Sequence, residues 1–126
     1  MKSRILLLAI AITLGFSGCY KDVLSPGQDP SAPPQAVSFS GDLVPIFTAN
    51  CALSGCHDGV PAHNPSLTAA NAYQAITSGG FINLVVPTNS IIYGEVKSGS
   101  MPPSGALTTS EIQKLLDWIR NGAPNN

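Results

Sequence analysis

The sequence predicts an all-α fold of three to five short helices, and three observations carry that expectation. The stretch from Thr108 to Gly122 has a cap, an apolar stripe at helical spacing and a stop. A second stripe, Val44, Phe47 and Cys51, follows the same spacing up to a pair of cysteines. Between them, the one apolar run that could be extended, Phe81 to Val86, is too short to make a sheet.

At 126 residues the chain has room for one domain at most. Its formal charge is −1, charged residues make up 10% of it and no basic stretch occurs, so no nucleic-acid partner is expected. Three cysteines make an odd number, which leaves one with a separate task.

Lys2 and Arg4 precede an apolar run from Ile5 to Leu14, which closes on Gly15-Phe16-Ser17-Gly18-Cys19. A charged start, an apolar middle and a small-residue end read as an export signal over residues 1–18. The run is shorter than the roughly 20 apolar residues of a spanning helix, so a plain transmembrane anchor is only the alternative. Phe16-Ser17-Gly18-Cys19 resembles a bacterial lipoprotein box, with Phe16 where leucine is usual. The resemblance implies that Cys19 becomes the mature first residue and carries lipid. A free thiol after an ordinary signal peptide is the competing reading. Neither Tyr20 nor Lys21 is the aspartate that often retains lipoproteins at an inner membrane. The expectation is an exported chain, lipid-anchored with a preference for the outer membrane, facing the periplasm. Cleavage before Cys19 leaves seven acidic and four basic side chains, a balance of −3.

Ser25 to Gln35 contains four prolines and no apolar periodicity, so residues 19–37 read as a lipidated N-terminus and flexible, partly polyproline II linker. The folded domain is expected over 38–126. About 90 residues are marginal for a purely hydrophobic core, so a cofactor, metal or disulfide is expected to help.

Ser40 or Asp42 can cap a first helix running to Asn50, with Pro45 tolerated in its first turn. Residues 58–65 form a loop by their turn chemistry. Thr68 starts a second helix over 69–77, ended by Gly79-Gly80. Thr88 or Asn89 caps a third over 90–97, whose expected buried side is Ile91, Ile92 and Val96. Thr108 and Glu111 fit a capping box for the last helix, whose buried face is Ile112, Leu115, Leu116 and Ile119. Gly122 stops that helix and Pro124 prevents its continuation. Trp118 belongs either to the core or to a propionate contact.

The chemistry concentrates in Cys51-Ala52-Leu53-Ser54-Gly55-Cys56-His57. Two thiols followed at once by an imidazole are what covalent haem attachment needs: two thioethers to the vinyl groups and a nitrogen under the iron. The usual spacing puts two residues between the cysteines, and here there are four. A second axial group is offered by Met101, in Ser98-Gly99-Ser100-Met101-Pro102-Pro103, where two fixed φ angles hold the loop stiff. The alternative for Met101 is a core filler. His57 needs a carbonyl for its other nitrogen, which Pro61 or Pro65 could supply. His63 is either a competing ligand or a solvated loop histidine.

Taken together, a helix ending at the C…C-H site, short central helices, then Met-Pro-Pro and a C-terminal helix bearing an aromatic resemble a small monohaem class I c-type cytochrome. Leu43 to His57 and Met101 to Gly122 carry the resemblance, which spans residues 38 to 124 with a looser middle. It implies haem c held by thioethers at Cys51 and Cys56, with His57 proximal and Met101 distal. Two axial ligands leave no vacant iron site, so the expected activity is single-electron transfer with redox partner proteins, and no catalytic residue is assigned. Three other readings remain: an exported structural or interaction lipoprotein with a Cys51–Cys56 disulfide, a zinc module from Cys51, Cys56, His57 and His63, and a five-coordinate haem enzyme.

Overall fold

The computed structural model describes residues 32–60 and 63–126. The expected signal, Cys19 and most of the linker lie outside the described residues, as does Pro61. Within them the chain is all-helical, with four α-helices and no strand. We label these α1 (Val44–Asn50), α2 (Ala72–Ser78), α3 (Ile91–Ser98) and α4 (Thr109–Arg120). Two shorter helical pieces flank them, a wide π-type turn at Phe39–Leu43 and a 3₁₀ turn at Pro87–Asn89. No helix among the described residues is long and apolar enough to cross a membrane.

The entry to α1 differs from the sequence expectation. Ser38 is the cap, not Ser40 or Asp42; its hydroxyl accepts the Gly41 N–H at 3.0 Å. Ser40 and Asp42 instead make tertiary and return contacts. The Ser40 hydroxyl donates to the main-chain oxygen of Asn126 (2.8 Å), and the Asp42 carboxylate accepts the Ser38 N–H (3.0 Å). The wide first turn carries the chain into α1, where Pro45 sits in the first turn with no N–H to lose. Phe47 and Cys51 of the expected stripe are buried and Val44 half-buried.

Residues 32–37, read from the sequence as the end of the linker, lie along the C-terminal end of α4. Arg120 Nη2 donates to the Ala32 carbonyl and Asn121 Nδ2 to the Gln35 carbonyl, each at 2.7 Å, and Val37 is buried.

The last helix follows the sequence reading. Thr108 caps it by accepting the Glu111 N–H, while the Glu111 carboxylate returns to the Thr108 N–H at 2.8 Å, so two otherwise orphaned donors are satisfied. Leu115, Leu116 and Ile119 are buried and Ile112 half-buried. Trp118 is fully buried and its Nε1 donates to the Pro124 carbonyl at 2.8 Å, which makes it a core residue. It stacks in a cluster with Phe39 (ring centroids 5.1 Å apart) and Tyr73 (6.4 Å), and Phe39 also meets Tyr73 edge-on at 5.2 Å. The first turn, α2 and α4 are thus joined through one aromatic group.

The third helix is capped differently from the expectation as well. Ser90, rather than Thr88 or Asn89, stands at its N-cap, and its buried hydroxyl accepts the Asn83 N–H (2.9 Å) instead of capping its own helix. The buried face is Ile92, Tyr93 and Val96, and Ile91 is 55% exposed. Gly79 stands at the C-cap of α2, where a Cβ would lie 2.5 Å from both the Ala75 carbonyl oxygen and the Phe81 ring, so only glycine fits. Gly99 ends α3 with φ 77°, a left-handed conformation that only glycine adopts cheaply.

Two outcomes follow for stability. Thr108→Ala should cost about 1 kcal/mol by denaturant titration, whereas Trp118→Ala should cost about 3–5 kcal/mol through the cavity it leaves. Asp42 is held below the usual carboxylate range, chiefly by the Lys114 ammonium at 2.9 Å and then by the Ser38 N–H. A depressed folded-state pKa stabilises above the unfolded value and is lost as pH falls through the folded one. Stability should therefore fall below about pH 4. Asp42→Asn should remove that dependence while costing under about 1 kcal/mol at neutral pH, because the pair is exposed.

Candidate functional site

The site begins at the end of α1. The Cys51 N–H still bonds to the Phe47 carbonyl (2.8 Å), so the first thiol rides on the helix's last turn and faces inward with it. The four intervening residues bulge outward, all but half-buried Ala52 exposed, and the chain closes again where the His57 N–H donates to the Cys51 carbonyl at 3.1 Å. Asp58 clips this bulge from outside. Its carboxylate accepts the Gly55 N–H (3.0 Å) and the Val60 N–H (3.3 Å), and these bonds, Gly55 first, hold it below the usual carboxylate range. The sequence reading did not assign Asp58 a role; an aspartate before glycine, two residues beyond Cys56, was the available signal.

The imidazole of His57 is oriented by its backbone neighbour. Nδ1 lies 2.8 Å from the Pro65 carbonyl oxygen, and the Leu67 N–H returns to the His57 carbonyl at 2.9 Å. A carbonyl only accepts, so Nδ1 carries the proton and the lone pair is left on Nε2. Pro65, one of the two prolines considered from sequence, makes this contact and is buried.

On the other side stands the loop after α3. The Met101 N–H donates to the Glu95 carbonyl (3.1 Å), which hooks the loop onto the last turn of the helix. The hydroxyls of Ser98 and Ser100 pair at 2.8 Å, and Pro102 is buried. Met101 itself is 37% exposed, which is unlike a core filler.

Between these two loops lies a cavity of about 650 Å³, within the range of sites for cofactors and small ligands. Cys51, Cys56, His57 and Met101 all line it. Its walls are otherwise mostly apolar and continue the core: Phe47, Leu67, Phe81, Ile92, Val96 and Leu107. The cavity reaches the surface beside exposed Leu53 and Ile91. Ile91, expected in the core, is a wall of this space instead. Phe81, Ile91 and Leu107 were not identified as site residues from sequence, because nothing local distinguishes an apolar wall from an apolar core. His63 lines the cavity too, from an exposed position.

Cys51 and Cys56 are both free thiols, one buried and one exposed. Burial, then the charges of Cys56 and Glu111, push the Cys51 thiol up to about 11, so it stays protonated near neutral pH. Among the described residues no three His, Cys, Asp or Glu side chains are gathered as a metal site of their own. Trp118 is committed to Pro124 and does not line the cavity. The arrangement offers two thiols, one oriented imidazole nitrogen and one thioether around an apolar space.

No protein-family model, no curated protein and no solved structure matches the chain.

Proposed function

We propose that this chain is an exported, membrane-tethered single-electron carrier of small c-type cytochrome architecture. It would hold haem c through thioethers at Cys51 and Cys56, with His57 and Met101 as axial ligands and Cys19 as the lipid-bearing residue. One observation carries this reading: four side chains chosen from the sequence for haem binding border a single apolar cavity of about 650 Å³.

The chemistry of the donor set fits the group. Cys51 and Cys56 would hold the group by adding their S–H bonds across its vinyl groups. That addition needs no oxidant, and protonated Cys51 would bring its own proton to it. The Pro65 carbonyl fixes the His57 tautomer so that Nε2 is free to bind a metal ion. The Met101 sulfur is a soft donor that favours ferrous over ferric iron, and the bond from its own N–H to Glu95 limits how far it can retreat. Phe47, Leu67, Phe81 and Val96 line the cavity with apolar surface. When bound, the haem supplies the one-electron couple; the protein contributes ligands, burial and orientation. Redox proteins are the partners this implies, and the N-terminal lipid would keep the carrier at the membrane where they work.

The test is spectroscopic. Chain produced in a host that matures c-type cytochromes should show sharp reduced c-type bands, and the haem should stay attached after denaturation. A colourless product would reject the proposal and favour a disulfide or zinc protein. In the haem-loaded protein Met101→Ala should lower the reduction potential by more than about 60 mV, a tenfold loss of ferrous preference for a one-electron couple. It should also open the sixth position to added ligands. An unchanged potential would remove Met101 from the iron.

A further inference from the structure

Leu84, Val85 and Val86 are consecutive apolar residues that are 55%, 92% and 42% exposed. None of them lines the cavity, so their exposure is unconnected with the site described above. Their turn is braced. The Asn83 side-chain oxygen accepts the N–H groups of both Val85 (3.0 Å) and Val86 (2.8 Å), and the buried Ser90 hydroxyl holds the Asn83 N–H. The Val86 carbonyl in turn accepts the Asn89 N–H at 2.8 Å. Three apolar side chains are therefore presented to solvent by a turn that is fixed in place, and contiguous exposed apolar surface marks protein or membrane contacts.

Charge and chain length point to the membrane. No Asp, Glu, Lys or Arg occurs between Asp58 and Glu95, so the segment carrying the turn brings no ionised side chain to be desolvated at a lipid surface. The acidic balance beyond Cys19 provides no electrostatic attraction to an anionic bilayer, which leaves apolar insertion as the means of contact. Twelve residues separate Cys19 from Ala32, where Arg120 pins the chain to the body. Fully extended, that segment spans at most about 45 Å. A lipid on Cys19 would thus keep the turn within reach of the bilayer at high effective concentration, where weak apolar contacts suffice.

We propose that the Leu84–Val86 turn is a membrane wedge, seating the domain on the bilayer that holds its N-terminal anchor. The inference rests on the lipid at Cys19 and not on the haem. The full lipid-modified chain, reconstituted in neutral phosphatidylcholine nanodiscs, tests it through methyl NMR with nitroxides placed on the lipid acyl chains. Exposed Val60 serves as the internal comparison. The methyl groups of Leu84, Val85 and Val86 should be broadened several-fold more than those of Val60, and added salt should not change this. In L84S/V86S the broadening of Val85 should fall to the Val60 level, with the visible spectrum and unfolding midpoint unchanged. Equal broadening at Val60 and Val85 would overturn the proposal. So would signals that ignore lipid but shift when a soluble protein is added, which would assign the turn to a protein partner. Mass spectrometry of Cys19 separates the two premises: absence of lipid there overturns the anchor on which the wedge rests, whereas a lipid-bearing chain without selective broadening overturns the wedge alone.

Discussion

The packing of Phe39 against Trp118 is the contact on which the domain depends. It joins the first helical turn to the last helix across nearly the whole described chain, and Tyr73 brings in α2 from the side. The hydrogen bonds around it serve the same closure: Trp118 Nε1 and the Tyr73 hydroxyl both end on carbonyls of the segment after α4, at Pro124 and Ala123. Asn126 then meets Ser38, Phe39 and Ser40. A chain of this length buries too little apolar surface to be held at many places. Once the two ends are locked through aromatic rings, the connecting loops are free to form a wall around an open space.

That division of labour explains why the candidate site consists of loops fastened to helix ends. Cys51 lies on the last turn of α1, and Met101 hangs by its N–H from the last turn of α3. Helix ends have carbonyls to spare, and both loops take them: the Phe47 oxygen accepts two N–H groups, and the Glu95 oxygen accepts Met101 as well as the Ser98 hydroxyl. The bulge between the cysteines, unusual in length, is accommodated because Asp58 closes it from the solvent side without intruding on the cavity lining.

Local grammar made some of this readable in the sequence. The Thr108–Glu111 capping box and the stripe of α4 need only residues within one helix, and they occur where the pattern put them. Ser40 and Asp42 were expected as caps where Ser38 serves, because all three suit the role locally and Ser40 is instead drawn to Asn126, far along the chain. Ser90 stands at the N-cap of α3 for a comparable non-local reason, since its hydroxyl is engaged by Asn83 across the turn. In α3, a helix of two turns with Gly94 in the middle, the apolar residues suit two faces about equally. The cavity beside Ile91 decides for the face with Tyr93. Cys51, Cys56, His57 and Met101 stood out in the sequence because their chemistry is rare, and the first three because they also share one short stretch. The walls, from Phe81 and Leu107 among others, did not, because their role comes only from what the fold leaves empty beside them.

The docking of residues 32–37 on α4 alters the geometry of any tether. With an anchor at Cys19, a leash released only at residue 38 could sweep a radius of about 65 Å, whereas one pinned at Ala32 sweeps about 45 Å. Volume scales as the cube of radius, so the body would search roughly one third of the space. With such an anchor, six residues laid along a helix would act as a choke on diffusion, raising roughly threefold the rate at which the domain meets anything fixed beside it.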